Sequence, residues 1–251
     1  MLFDLEPKSK REDLFGRDNE VNAIVNFIRS KSRFLAIYGI RRVGKTSVLR
    51  VALNEASIPY CYIDARMLEN DFTKRRLYQL ISNCLTELSI KWRLENAIRN
   101  IARAVRGGIN ILGSGVELNV EIDWRNAYLT DLLSALSMNL SQIVIAIDEA
   151  QILRMMKGFS KIDFTQVLAY TYDNLNNVKV VLTGSEVGLL HDFLGLDNPK
   201  SPLYGRFVEE LTIKPFSRDA SIQFLITGFR QYGVEVTINE VLDVVISSMV
   251  S

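Results

Sequence analysis

The apolar run Phe34-Leu35-Ala36-Ile37-Tyr38 leads into Gly39-Ile40-Arg41-Arg42-Val43-Gly44-Lys45-Thr46-Ser47 and then into a helical pattern. A strand, the spacing G-x-x-x-x-G-K-T and a helix, in that order, are the phosphate-binding P-loop in the setting it requires. The glycines accept backbone conformations that let successive N–H groups converge on phosphate oxygens, and the helix that follows adds its positive end. Lys45 supplies a mobile charge for β- and γ-phosphate oxygens, and the Thr46 hydroxyl is a ligand for Mg²⁺. The feature predicts an α/β fold, with residues 39–47 holding the phosphates of a nucleotide and Mg²⁺.

The remaining composition narrows the class. A chain of 251 residues suffices for one large α/β domain, or for one domain with an appendage. Lys and Arg number 30 against 29 Asp and Glu, so any polyanion-binding surface has to be local. Cys61 and Cys84 sit in apolar runs without C-x-x-C spacing, which predicts buried thiols in a reducing cytosol, not a disulfide or a metal site. Residues 1–15 are charged throughout, and no uncharged apolar run approaches the roughly 18 residues of a membrane span. A soluble, cytoplasmic protein with no membrane partner is expected.

A second decisive segment is Ile143-Val144-Ile145-Ala146-Ile147-Asp148-Glu149-Ala150-Gln151, an apolar strand closed by two acids. Burying a strand that ends in carboxylates is costly unless they have work or partners. Asp148 is placed to hold Mg²⁺ beside Thr46, and Glu149 to accept a proton from, or orient, an attacking water. The strand from Val178 ends in Thr183-Gly184-Ser185, where a hydroxyl can sense the γ-phosphate; a helix-capping Ser is the competing assignment. Arg206 follows a proline-containing loop, and two roles stay open: an arginine finger, in cis or from a neighbouring subunit, or a salt bridge. His191, the one histidine, has no second His or Cys beside it and reads as structural.

Elsewhere the pattern is architectural. Val21, Ile24, Val25 and Ile28 predict an amphipathic helix with Asp18 as its N-cap. Ile58 to Asp64 reads as a strand ending in a carboxylate, with Arg66 just beyond. Leu77 to Leu88 and Leu94 to Val105 carry helical stripes. The same region gathers Lys74, Arg75, Arg76, Lys91, Arg93, Arg99, Arg103 and Arg106, a face that either meets nucleic acid or is simply solvated. Ile109 to Leu112 and Val116 to Ile122 suit a hairpin turning at Gly113-Ser114. Helices are expected at Leu129 to Leu140 and Phe164 to Leu175, a strand at Val208 to Ile213 and a helix from about Ser217. Thr237-Ile238-Asn239-Glu240 is a capping box for a last helix.

Residues 14–20, Leu14-Phe15-Gly16-Arg17-Asp18-Asn19-Glu20, resemble the segment that lines the adenine pocket in one broad group of P-loop ATPases, which implicates Phe15, Gly16 and Arg17; Asp18 stands where that group has Glu. With G-I-R-R-V-G-K-T-S, I-D-E-A-Q, the A-Y-x-Y-D-N-L run at 169–175, G-S-E-x-G-L-L at 184–190, S-P-L-x-G-R at 201–206 and K-P-F-S-R at 214–218, nearly the whole chain resembles the archaeal ATPases of the STAND class, relatives of the AAA+ and origin-recognition ATPases. The resemblance implies a P-loop NTPase of the additional-strand type, with a parallel sheet in the order 5-1-4-3-2 and helices on both faces. It implies an ATPase domain over 1–215, with 106–123 as a hairpin insertion, and over 216–251 the start of a helical lid, short of the family's winged helix. The implied function is an ATP-binding and hydrolysing molecular switch, with slow turnover; the alternative is a nucleotide-holding interaction module, associated with DNA. Partners would be ATP, a further copy of the chain, and a DNA or protein client reached through the basic helices or a C-terminal domain. An exposed apolar strip of Val241, Leu242, Val245 and Met249 is expected where a lid would pack.

Overall fold

The computed structural model describes residues 1–105, 108–114, 119–185 and 187–242. Arg106, Gly107, Gly115, Val116, Glu186, Val245 and Met249, all part of expectations above, lie outside the described residues. In chain order, α1 (Asp18–Arg29) precedes β1 (Phe34–Tyr38), α2 (Lys45–Ala56), β2 (Tyr60–Asp64), α3 (Lys74–Trp92) and α4 (Glu95–Ala104). Then come β3 (Ile109–Leu112), β4 (Asn119–Ile122), α5 (Leu129–Asn139), β5 (Ile143–Asp148), α6 (Met155–Phe159) and α7 (Phe164–Asn174). The chain continues with β6 (Val178–Gly184), α8 (Val187–Leu194), β7 (Glu209–Thr212) and α9 (Arg218–Gln231).

Five strands form one sheet in the order β2-β5-β6-β1-β7, with every pairing parallel. Parallel neighbours need crossover connections, and the crossovers cover both faces, so strand residues of both parities must be apolar. In β1, Leu35 and Ile37 pack with Ile24 and Ile28 of α1 and Val48 and Leu49 of α2, while Phe34, Ala36 and Tyr38 join the cluster formed by α3, α5 and α7. In β5, Val144 and Ala146 take the first side and Ile143 and Ile147 the second. Each large side chain buried this way contributes about 1.5–3 kcal/mol, a sizeable share of the roughly 5–15 kcal/mol by which a folded domain is stable. β3 and β4 pair antiparallel outside this sheet and lie against α3 and α4, where Ser82 Oγ accepts from the Ile122 amide at 3.0 Å.

Register gathers polar residues at one edge. Asp64 stands opposite Asp148, and Thr183 opposite Ile37, one residue before the end of β1. In an open parallel sheet this carboxyl-terminal edge is where ligands bind.

Three expectations are corrected. Cys61 and Cys84 are joined as a disulfide, with Cα atoms 5.5 Å apart, because α3 packs on β2 and sets one residue over the other; a separation of 23 residues carries no trace of that contact. Asp18 does not cap α1: Arg17 occupies the cap position without a side-chain bond, and the Asp18 carboxylate accepts from Arg11 Nη1 at 2.8 Å. Val241 is buried instead of exposed, packed with Ile222 and the partly buried Leu225, Ile226, Val236 and Leu242. The capping box itself forms, with the Thr237 amide donating to Glu240 Oε2 at 2.8 Å and the Glu240 amide to Thr237 Oγ1 at 3.4 Å.

The charged N-terminal stretch is built into the fold. The Leu2 amide donates to Gln231 Oε1 at 2.7 Å, and the Phe3 ring stands edge-on to Phe224 and Phe229 of α9. At the other end of this segment the Lys8 amide donates to Ser47 Oγ at 3.1 Å. The first eight residues therefore tie α9 to the P-loop helix.

Candidate active site

The P-loop leaves β1 through Gly39, where a Cβ would lie 2.7 Å from the Ile213 carbonyl oxygen; only glycine lets the loop pass so close to the end of β7. Arg42 and Gly44 have φ of +65° and +98°, a curl that turns backbone N–H groups to one side before α2 begins at Lys45. Lys45 is buried, and its Nζ donates to the carbonyls of Gly39 at 2.8 Å and Ile40 at 3.0 Å. Burial holds the Lys45 pKa below the ordinary lysine value, opposed by the nearby Glu149 and Asp148 charges. A desolvated cation at the mouth of an anion cradle favours a phosphate that compensates it.

Asp148, 1% exposed, is held by hydroxyls. Thr46 Oγ1 donates to its Oδ2 at 2.7 Å, Tyr62 from β2 donates to the same oxygen at 2.9 Å, and Thr183 donates to Oδ1. Burial, and then the Asp148 charge, raise the Tyr62 hydroxyl pKa above the ordinary tyrosine value, so it stays a donor. Among the described residues no group of three or more His, Cys, Asp or Glu is arranged to hold a metal. The pair Thr46 and Asp148 offers hard oxygen donors only, which fits Mg²⁺ bound by one carboxylate, one hydroxyl and substrate phosphates.

Glu149 adopts φ of +53°, turning its side chain out of the strand. Its Oε2 accepts from the Ser185 amide at 3.0 Å, Ser185 Oγ at 2.6 Å and Gln151 Nε2 at 2.7 Å, while its own amide donates to Thr183 Oγ1 at 3.2 Å. The Ser185 hydroxyl is thus bonded to the Glu149 carboxylate, a partner that neither assignment for it named. Thr183 is a bridge between the two acids.

Lys45, Thr46, Glu149, Gln151 and Ser185 line a cleft of about 1130 Å³. Its opposite wall is aromatic: Phe15 lies edge-on to Phe216 at 5.9 Å and to Phe224 at 5.6 Å between centroids, and the Arg17 guanidinium sits 4.1 Å over the Phe216 ring. Arg17 also donates to the Val43 carbonyl at 3.1 Å, which ties this wall to the P-loop. Phe15, Arg17 and P-loop residues 41–47 line the cleft, whereas Gly16, Gly39 and Ile40 are not among its lining residues.

Arg206 is not brought to this cleft. Its Nε and Nη2 pair with Asp173 at 3.0 and 2.6 Å, and Nη1 donates to the Pro202 carbonyl. Within one chain it makes the salt bridge. His191 Nε2 pairs with Asp197 at 3.2 Å, in keeping with a structural role. Sequence reasoning passed over Tyr62, Gln151, Phe216, Phe224 and the N-terminal segment as site residues. Gln151 had a signal, standing two residues after Glu149, but the others are brought in only by strand register or helix packing.

A parallel sheet with a P-loop on one strand and paired acids ending another defines a nucleotide-binding P-loop protein. The chain belongs to a family of ATPase domains found predominantly in Archaea, which matches residues 14–247. Among solved structures it is similar to the Walker-type ATPase PABY2304 of Pyrococcus abyssi, with 35% identity over 98% of this chain and a TM-score of 0.76; the chain spans 66% of that protein. More distant are the RuvB Holliday junction branch migration motor of Thermotoga maritima, 11% identical over 92% of this chain and 56% of that one with a TM-score of 0.46, and AMPPCP-bound DnaA from Aquifex aeolicus, 13% identical over 94% and 59% with a TM-score of 0.46. No curated protein matches. Among the described residues no helix is long and apolar enough to cross a membrane.

Proposed function

We propose that this chain binds Mg·ATP in the cleft between the P-loop and the aromatic wall, hydrolyses it, and acts as a slow molecular switch of the STAND and AAA+ type. The observation that carries the reading is the coupled pair of acids: Asp148 bonded to Thr46 of the P-loop, and Glu149 held at Oε2 by three donors, with Thr183 joined to both. Mg²⁺, held by Thr46 and Asp148, supplies charge neutralisation for the β- and γ-phosphate oxygens. Lys45 and the loop N–H groups bind and orient the triphosphate. Because the donors to Glu149 converge on Oε2, its Oε1 is the atom assigned to take the proton of the attacking water. Phe15, Phe216 and Phe224 offer a flat apolar wall for the base, with Arg17 anchored behind it.

The strand order, read from the P-loop strand outward, supports an additional-strand arrangement, since β6 intervenes between β1 and β5. Residues from 216 onward, by packing Phe216 and Phe224 beside the cleft, would make a lid whose position depends on bound nucleotide. Calorimetry and steady-state phosphate release test the core of this proposal. Lys45→Ala should lose Mg·ATP binding, and Glu149→Gln should keep it while turnover falls by about 10²–10⁴-fold, the usual worth of a general base. Unchanged affinity in the first variant, or wild-type turnover in the second, would remove that residue from its role.

A further inference from the structure

A cation beyond Lys45 approaches the acid pair. Arg66 follows β2, and its Nη2 lies 3.9 Å from Asp148 Oδ2, the oxygen to which Thr46 and Tyr62 donate. Its side chain lines the nucleotide cleft and is 57% exposed. Asp64, in register with Asp148 on the neighbouring strand, grips it as a fork: Nε is 2.9 and 3.1 Å from the two carboxylate oxygens, Nη2 is 2.6 Å from Oδ2, and the Arg66 amide donates to Oδ1 at 3.0 Å. An exposed pair two residues apart adds at most about 1 kcal/mol to stability. Its effect is geometric: it fixes a permanent, planar charge beside Asp148, within the cleft that the P-loop lines. The bonds formed among the described residues engage Nε and Nη2, which leaves the Nη1 hydrogens for a ligand.

We propose that Arg66 contacts the γ-phosphate in cis, a second cation beside Lys45 for the transferred phosphoryl group, with Asp64 as the positioning residue that aims the guanidinium. This rests on the ATPase reading above. Arg206, paired with Asp173 away from the cleft, leaves that position to Arg66 within a single chain. The γ-phosphate, the group that ATP has and ADP lacks, is the one assigned to Nη1, so loss of the side chain should weigh on the triphosphate more than on ADP. Charge that develops on the γ-phosphoryl oxygens during transfer would be stabilised there without further motion of the side chain.

The test compares ADP with the non-hydrolysable analogue AMPPNP, both with Mg²⁺, by calorimetry, together with single-turnover hydrolysis of ATP. For Arg66→Ala, ADP affinity should stay near wild type, the preference for AMPPNP over ADP should fall about 10-fold, as for one lost charge-assisted bond, and the hydrolysis rate should fall by about 10²-fold or more. Arg66→Lys should recover part of the preference, since it keeps the charge without the fork, and Asp64→Asn should lower the hydrolysis rate without removing the charge. Equal melting temperatures among the variants exclude unfolding as the cause. An unchanged AMPPNP-to-ADP ratio in Arg66→Ala, or an equal loss for both nucleotides, overturns the assignment. If Lys45→Ala loses both nucleotides while Arg66→Ala behaves as wild type, Arg66 alone falls; if the wild type binds neither, the ATPase reading falls and takes Arg66 with it.

Discussion

Thr183 carries a test that separates the built site from a chance meeting of polar residues. It is fully buried, its hydroxyl donates to Asp148 Oδ1, and its oxygen accepts the Glu149 amide at 3.2 Å. Thr183→Val keeps the shape and removes both bonds. A hydrogen bond to a charged group is worth about 1.5–3 kcal/mol, and a buried amide left without an acceptor costs about 1–3 kcal/mol. With Asp148 only 1% exposed, water cannot restore the loss, so the sum should be roughly 3–5 kcal/mol. That is a large fraction of the stability of a typical domain. Thr183→Ser keeps the hydroxyl and loses one methyl, for about 1 kcal/mol. Urea unfolding of the nucleotide-free protein, followed by circular dichroism, reads both. If Thr183→Val unfolds within 1 kcal/mol of the wild type, or if Thr183→Ser is as damaging, the bridge from the Asp148 carboxylate to the Glu149 amide does not stabilise the site and the reasoning fails.

Two further outcomes are expected. The double variant Ser185→Ala, Gln151→Leu removes two of the three donors on Glu149 Oε2, so turnover should fall about 10-fold or more while Mg·ATP affinity is kept; a loss of affinity instead would place these residues in nucleotide binding. On acidification, the hydrogen bonds from Arg11, at 2.7 and 2.6 Å, hold the Glu55 pKa below its ordinary 4.5. The folded pKa being the lower one, this stabilisation is present above pH 4.5 and disappears as pH falls through the folded value. Arg11→Met should flatten that part of the acid-unfolding curve, read as melting temperature against pH, and an unchanged slope would show the pair to be energetically silent.

The catalytic half of the cleft was legible because its residues are local in sequence. A P-loop needs its glycines, lysine and hydroxyl within nine positions, and an acid pair needs a strand end; both requirements are written contiguously at 39–47 and 143–149. Parallel strands reinforced this, since their burial on both faces leaves uninterrupted apolar runs that end sharply where the chemistry begins. Thr183 and Ser185 were visible for the same reason, as hydroxyls at the end of such a run, although which acid each would serve depends on register, and register is not written in either strand alone.

The rest of the site depends on contacts between distant segments, and there composition misled. Residues 1–15 read only as charged throughout, with basic and acidic residues mixed, yet Phe3 packs so tightly on α9 that a Cβ at Gly228 would lie 2.2 Å from its ring. Nothing in Phe3 or in Gly228 alone announces that meeting. The same holds for Cys61 and Cys84, which spacing assigns to thiols and helix packing brings within 5.5 Å. Arg206 is the converse case: its loop, charge and order in the chain suit a phosphate contact or a salt bridge, and within one chain Asp173 at the end of α7 pairs with the guanidinium. An arginine is charged wherever it lies, so its position in the chain says that it will find an anion and not which one. The choice is made by geometry, and in this fold the geometry brings Arg66, not Arg206, within 4 Å of Asp148.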